Sequence, residues 1–190
     1  MPKTLSILIP TIEGREAQLN NLLCNIAKQI EAGNLQKKVQ ILLFKDKAGQ
    51  HSIGHKRNWL YQNAKGKWAL SIDDDDDIAT TALSDIINLL EKNNPDTLSI
   101  IGVYIKDGKN PKTFHHSLQY KAYTEVRGFY QRPPGHLNPI RTKIAKKFMF
   151  SNVNHGEDSD WSLNISKANA IKTEIEYLTP YYFYNFVSNK

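Results

Sequence analysis

Apolar residues in the first hundred positions follow two alternating rhythms. Leu5-Ser6-Ile7-Leu8-Ile9 is a short, nearly continuous apolar run stopped by Pro10, as expected of a strand covered on both faces. Leu19, Leu22, Leu23, Ile26 and Ile30 then return at steps of three and four, one face of a helix that Gly33 closes. Val39 to Phe44 is a second apolar run ending at Lys45-Asp46. A loop with glycine and histidine leads on to a helix predicted over His55 to Ala64 and closed by Gly66. Trp68 to Ile72 is the third strand, Leu83, Ile86, Ile87 and Leu90 mark a third helix, and Thr97 to Ile105 is a fourth strand. Strand and helix in alternation predict an α/β fold with a Rossmann-like, mostly parallel sheet flanked by helices.

Past residue 110 that rhythm is lost. Residues 112–132 read as mixed strands and loops, Pro133-Pro134-Gly135 as a turn, and Pro139 to Lys147 as a stretch able to start a helix. Trp161 to Lys172 reads as a last helix, and the strongly aromatic Tyr177 to Phe186 as a final segment packed across the sheet. No repeat or linker interrupts the 190 residues, a length that suits one domain with a sizeable core.

Composition changes this picture in three places. The one cysteine, Cys24, excludes a disulfide framework and a thiolate metal site, and its helical apolar setting predicts a small buried hydrophobe. No signal peptide and no apolar stretch of about 18 residues is seen, so a cytoplasmic protein is expected, peripheral at the inner membrane face at most. The net charge of +6 coexists with an acidic centre, so the two signs must be segregated in space. A basic rim suits a phosphate-bearing substrate, an anionic acceptor, a membrane face or nucleic acid, and serves solubility in any case.

The acidic centre is five consecutive aspartates, Asp73 to Asp77, directly after the third strand. Open α/β sheets bind ligands at the carboxyl ends of their strands. Hard carboxylate oxygens suit Mg²⁺ or Mn²⁺, ions that also hold substrate phosphates. A run of like charges reads equally as a solvated loop. Thr11 and Glu13 stand after the first strand and Asp46 ends the second, so three strand ends deliver polar groups to one edge. No Gly-x-x-x-x-Gly-Lys loop and no Gly-x-Gly-x-x-Gly follows the first strand, so neither a P-loop nor a dinucleotide site is indicated. A second acidic cluster, His155-Gly156-Glu157-Asp158-Ser159-Asp160-Trp161, offers Asp158 either as a catalytic carboxylate or as the acidic start of a helix. The pair His115-His116 lacks metal spacing and reads as surface.

LSILIPTIEGR at Leu5 to Arg15, GHKRNWLYQNAKG at Gly54 to Gly66, IDDDDDI at Ile72 to Ile78 and GEDSDW at Gly156 to Trp161 resemble, in this order, the family 2 glycosyltransferases of the GT-A fold. The resemblance covers most of residues 1–165. It implies a metal-dependent inverting enzyme that moves a sugar from a nucleotide diphosphate donor, UDP-sugar foremost, to a hydroxyl of a glycan, glycolipid or other acceptor. It further implies a single GT-A-like domain over 1–190, with a nucleotide-binding half at 1–110 and an acceptor-side half at 111–190. Thr11, Glu13 and Asp46 would hold the nucleoside, with Lys56 and Arg57 beside the nucleotide. The family's Asp-x-Asp motif would place Asp73 and Asp74 on the donor and Asp75 on Mn²⁺ or Mg²⁺, although five aspartates leave the register open. Asp158 would be the general base. On the acceptor side stand Glu157, Trp161 as a sugar platform or a core residue, and His136 or His155 in place of a later histidine ligand. The second strand departs from the family by ending Phe44-Lys45-Asp46-Lys47-Ala48-Gly49 instead of in paired acids.

Two other classes are weaker matches. A sugar nucleotidyltransferase would need a glycine-rich basic loop after the first strand. A calcium- or nucleic-acid-binding module would need the Asp-x-Asp-x-Asp-Gly spacing or interleaved aromatics and cations.

Overall fold

The computed structural model describes residues 3–186. In chain order the elements are β1 (Leu5–Ile12), α1 (Glu16–Ala32), β2 (Val39–Asp46), α2 (Ile53–Asn63), β3 (Trp68–Ser71), β4 (Asp77–Ile78) and α3 (Ala82–Asn93). Then follow β5 (Thr97–Leu98), β6 (Ile100–Lys106), β7 (Lys109–His116), β8 (Thr124–Val126), β9 (Phe129–Arg132), β10 (Ile140–Arg141) and α4 (Thr142–Ala145). The chain closes with α5 (Glu157–Lys167), β11 (Glu174–Ile175) and β12 (Pro180–Phe186).

Two six-stranded sheets result. The first has the order β11-β5-β10-β3-β1-β2. Leu5 of β1 pairs in parallel with Val39 on one side and Trp68 on the other, and β10 runs antiparallel between β3 and β5. Alternate residues of β1 serve opposite faces. Leu5, Ile7 and Ile9 join α1 and α3 residues such as Leu22, Ile26, Leu83 and Ile87 in one core. Leu8 joins Leu60, Tyr61, Ala145, Phe150 and Trp161 in the other. This two-sided burial is why β1 is apolar without alternation.

The second sheet has the order β4-β12-β6-β7-β9-β8. It begins where the fourth predicted strand divides at Ser99, whose two halves, β5 and β6, enter different sheets. The aromatic C-terminal segment becomes β12, parallel to β6, with Tyr181 and Tyr182 fully buried. The five aspartates therefore cross from β3 of one sheet to β4 of the other.

Several elements differ from their predicted form. Helix α2 starts at Ile53 because the Ser52 hydroxyl accepts from the His55 amide at 3.0 Å, a cap invisible to apolar periodicity. Pro139 to Lys147 gives a two-residue strand before the short α4. Helix α5 starts at Glu157, four residues before Trp161, after Gly156 at φ +82°. Cys24 is exposed on α1 rather than buried, since that helix buries Leu22 and Ile26 instead. His115 and His116 are buried rather than surface residues, because β7 lies in the interior of the second sheet. Among the described residues no helix is long and apolar enough to cross a membrane.

Candidate active site

Two adjoining cavities open at the carboxyl ends of β1, β2 and β3. The smaller, about 230 Å³, is lined by Thr11, Arg15, Gly49, His51, Lys56 and Asp74 among others. The larger, about 550 Å³, lies between Arg57, Asp73 and Asp76 on one side and Tyr104, His116, Tyr130, Arg132 and Tyr184 of the second sheet on the other. Its size is that of a small-molecule site. Ile53 and Asn154 line both cavities and form the ridge between them. The ridge depends on a close approach. The Ile53 amide donates to Asn154 Oδ1 at 3.0 Å and the Gly54 amide to the Val153 carbonyl at 3.2 Å. A Cβ on Gly54 would fall 1.8 Å from the Ser151 carbonyl oxygen.

The aspartate run survives at this density because a tight turn sends its carboxylates to different partners. The Asp76 amide closes that turn on the Asp73 carbonyl at 3.1 Å. Asp74 is buried, accepting from the Thr11 hydroxyl at 2.6 Å and Arg15 Nη1 at 2.7 Å. Asp75 lies 3.4 Å from the same Arg15 nitrogen. Asp76 accepts from the Tyr182 hydroxyl at 2.7 Å and the Asn185 amide at 3.1 Å. Asp77 turns away to Asn25 of α1 at 2.6 Å. Burial raises the Asp73 carboxyl pKa against the pull of Arg57, with Asp75 and Asp74 adding to the rise. Burial, then the charge of Asp73, holds Asp76 well above the usual carboxylate range.

Arg57 ties this run to the second acidic motif. It is buried on α2, with Nη2 at 2.9 and 3.2 Å from the two oxygens of Asp73 and Nη1 at 2.8 Å from Ser71 Oγ. Nε lies 3.2 Å from Glu157 Oε1 at the start of α5. Arg57 is thus a clamp between two acidic segments. Lys56 lines the smaller cavity, where it contacts Asp46 Oδ1 and donates to the Thr11 carbonyl at 3.0 Å. His51 Nδ1 lies 3.0 Å from the other Asp46 oxygen. Burial alone would raise the Asp46 pKa, but Lys56 and His51 together hold it below its ordinary value.

Asp158 stands apart from Asp73 and Glu157, the two acids of the larger cavity that Arg57 pairs. No Lys or Arg pairs with it among the described residues. It accepts from the Ser159 hydroxyl at 3.4 Å, and its Oδ2 lies 3.9 Å from His136 Nδ1. Burial, then Arg57, His116 and Arg132, holds the His136 pKa well below the histidine range, so that neighbour is neutral near pH 7. With a neutral imidazole as its near neighbour, the Asp158 carboxylate has room to accept a hydrogen bond from a third group.

Two of the expected site residues, Glu13 and Trp161, stand outside both cavities. Glu13 is exposed and lines neither cavity; its amide, not its side chain, meets Asp46 by donating to that residue's carbonyl at 2.8 Å. Trp161 is fully buried, stacked on Phe150 at 4.6 Å, with Nε1 donating to the Phe148 carbonyl at 3.1 Å. It has no face left for a sugar. His155 is an exposed wall residue of the larger cavity, apart from the buried His136. Arg15, His51, Asn154 and Arg132 line the cavities without having been singled out beforehand, and His116, expected at the surface, lines the larger one. Arg15 alone carried a signal, as a cation in the loop after β1.

Among the described residues no group of three or more His, Cys, Asp or Glu side chains is arranged to hold a metal by itself. The donor set that is present consists of hard carboxylate oxygens that burial and mutual repulsion push toward protonation. That chemistry fits a divalent ion whose remaining ligands come from a bound phosphate.

Two parallel-paired strand ends, a crossing acidic turn and a second mixed sheet make this the GT-A-like α/β fold. The solved structures it is similar to include S. aureus TarS residues 1–349, at a TM-score of 0.68 and 19% identity over 96% of this chain. The same TarS fragment in complex with UDP matches at 0.68 and 17% over 96%, and in complex with UDP-GlcNAc at 0.67 and 16% over 98%. The chain spans 60% of the length of each of these TarS structures. No family model and no curated protein matches its sequence.

Proposed function

We propose that this chain is a metal-dependent, inverting glycosyltransferase that moves a sugar from a nucleotide diphosphate, a UDP-sugar foremost, to an acceptor hydroxyl. The observation that carries the reading is Asp158, a carboxylate without a cationic partner on the wall of a cavity that Asp73 also lines. The likeness in fold to TarS structures in complex with UDP and UDP-GlcNAc supports the choice of donor.

In this reading the smaller cavity takes the nucleoside, between Thr11, Asp46, Lys56 and Asp74. Asp73 would lie against the donor and Asp75 would hold Mn²⁺ or Mg²⁺, which as a Lewis acid would offset the charge left on the departing diphosphate. Asp158 accepts the proton of the acceptor hydroxyl as its oxygen bonds to the anomeric carbon. The bond from that carbon to the phosphate oxygen breaks with its electron pair on the nucleoside diphosphate, and the anomeric centre inverts. Arg57 holds Asp73 and Glu157 and so keeps donor side and base side in register.

Calorimetry with UDP and UDP-GlcNAc, with Mn²⁺ and with a chelator, tests this directly. Binding strengthened by Mn²⁺ is expected. Equal affinity in chelator would remove the metal from the reading, and no binding of either nucleotide would remove the reading itself.

A further inference from the structure

The positive surplus of the chain is concentrated in one stretch. Residues 101–150 hold ten Lys or Arg against two Asp or Glu, a local surplus of +8 against +6 for the whole chain. That stretch contains β7, β8 and β9 and most of β6, the basic side of the larger cavity. The other cations lining the two cavities are paired: Arg57 with Asp73 and Glu157, Arg15 with Asp74, Lys56 with Asp46. Even Lys112, farther along the sheet, has Glu125 at 3.1 Å. Arg132, the last residue of β9, has no carboxylate partner and no side-chain hydrogen bond among the described residues.

Aromatic rings hold it instead. The Arg132 guanidinium lies 4.7 Å from the ring centroid of Tyr123 and 6.0 Å from that of Tyr130. Stacking on ring faces leaves the planar N–H fork free for a bidentate oxyanion. Tyr104, Tyr130 and Tyr184 line the same wall and offer the apolar surface that the C–H face of a sugar ring needs. Asp158 lines the same cavity. The donor diphosphate has other cations available, since Arg15 and Lys56 line the smaller cavity and Arg132 lines only the larger. A half-buried guanidinium in a concave wall suits a discrete anion better than a flat lipid surface.

We propose that Arg132 docks a phosphate or carboxylate carried by the acceptor, which is therefore an anionic glycan. This rests on the transferase reading above and adds the chemical class of its acceptor.

Glucose 6-phosphate, glucuronate and glucose serve as probes, bound to UDP-saturated protein with Mn²⁺ and followed by saturation-transfer NMR. At least one charged probe should bind about tenfold more tightly than glucose, the gain of one charge-assisted pair. Arg132→Gln should abolish that preference, Arg132→Lys should keep part of it, and UDP affinity should stay within about twofold in both, since donor binding falls to other cations. The two charged probes distinguish phosphate from carboxylate. Equal binding of charged and neutral probes would overturn the proposal, as would a loss of UDP affinity in Arg132→Gln or binding confined to phosphatidylglycerol vesicles. If UDP fails to bind while the charged preference persists and follows Arg132, the transferase reading falls and the anion site stands. If UDP binds without that preference, the reverse holds.

Discussion

On the side of the first sheet, charge is locked in place. Asp74 has Thr11 and Arg15, Asp73 and Glu157 share Arg57, and Asp46 has Lys56 and His51. On the side of the second sheet and the start of α5 the two charges of interest, Arg132 and Asp158, have no partner of opposite formal charge fixed by the fold near neutral pH. The first arrangement suits rigid positioning of a ligand that is always the same, because paired groups have nowhere else to go. The second leaves a cation and a carboxylate available to whatever enters. One cavity system thus combines a pre-set wall with an unpaired one.

The sharpest way to break this contrast is to neutralise the unpaired carboxylate. Asp158→Asn keeps shape and hydrogen-bonding capacity at the first turn of α5, so folding and UDP affinity should be close to wild type. Transfer should fall by about 10²–10⁴-fold, the usual worth of general base catalysis. Single-turnover transfer from UDP-GlcNAc beside a UDP titration checks both halves. A variant that retains most of its transfer activity removes Asp158 from the chemistry.

Breaking the locked side should act on stability instead. Arg57→Ala leaves Asp73 and Glu157 without their buried cation. Removing one partner of such a pair costs about 3–5 kcal/mol, readable as a shift in urea midpoint at unchanged slope. If the loss stays under about 1 kcal/mol, the clamp does not hold the two acidic segments together.

A smaller effect separates members of the aspartate run. Asp75→Asn should weaken Mn²⁺-dependent UDP binding by about tenfold, as expected for the loss of one charged ligand contact. Asp77→Asn should change it by less than about twofold, because that side chain is engaged by Asn25 away from both cavities. The opposite ranking would move the metal register two residues along the chain.

Periodicity made the first half of the fold legible, since β1 and β3 carry their burial on the residues themselves, although β2, at the edge of its sheet, leaves Ile41 and Leu43 exposed. The second half was hard to read because its strands are paired by distant partners. Val126 of β8 is half-exposed and pairs with Phe129 across a turn, while β12 finds β6 some eighty residues earlier. Asp158 and the aspartate run stood out as clustered charge. Arg132 could not, because what distinguishes it is the lack of a carboxylate, a property of three-dimensional neighbours only. Trp161 shows the same limit in reverse: Phe150 and Tyr61 decide that it is core.

The smallest effect tests whether the basic wall stays dry enough to keep its histidines neutral. Burial, then Arg132, pushes His116 down to about 3, and His136 is depressed too. In the unfolded chain a histidine titrates near 6.5. Between about pH 6.5 and 3 the unfolded chain therefore binds protons that the folded one refuses. This contribution to stability is complete above 6.5 and is lost as pH falls through that window, at up to about 1.4 kcal/mol per pH unit for each histidine. The buried acids act with the opposite sign. Asp73, Asp76 and Glu157 keep protons in the fold above the ordinary carboxylate range, so their contribution is present at low pH and lost as pH rises through their raised pKa values. The two series offset one another in part between about pH 4 and 6.5. His116→Gln removes one member of the first series only, so the slope of stability against pH in that window should become less positive by up to one proton. Urea unfolding at half-unit steps measures the slope independently of any constant cost of the substitution. An unchanged slope would mean that His116 takes up its proton in the folded state as readily as in the unfolded chain, and that the Arg132 wall is open to water.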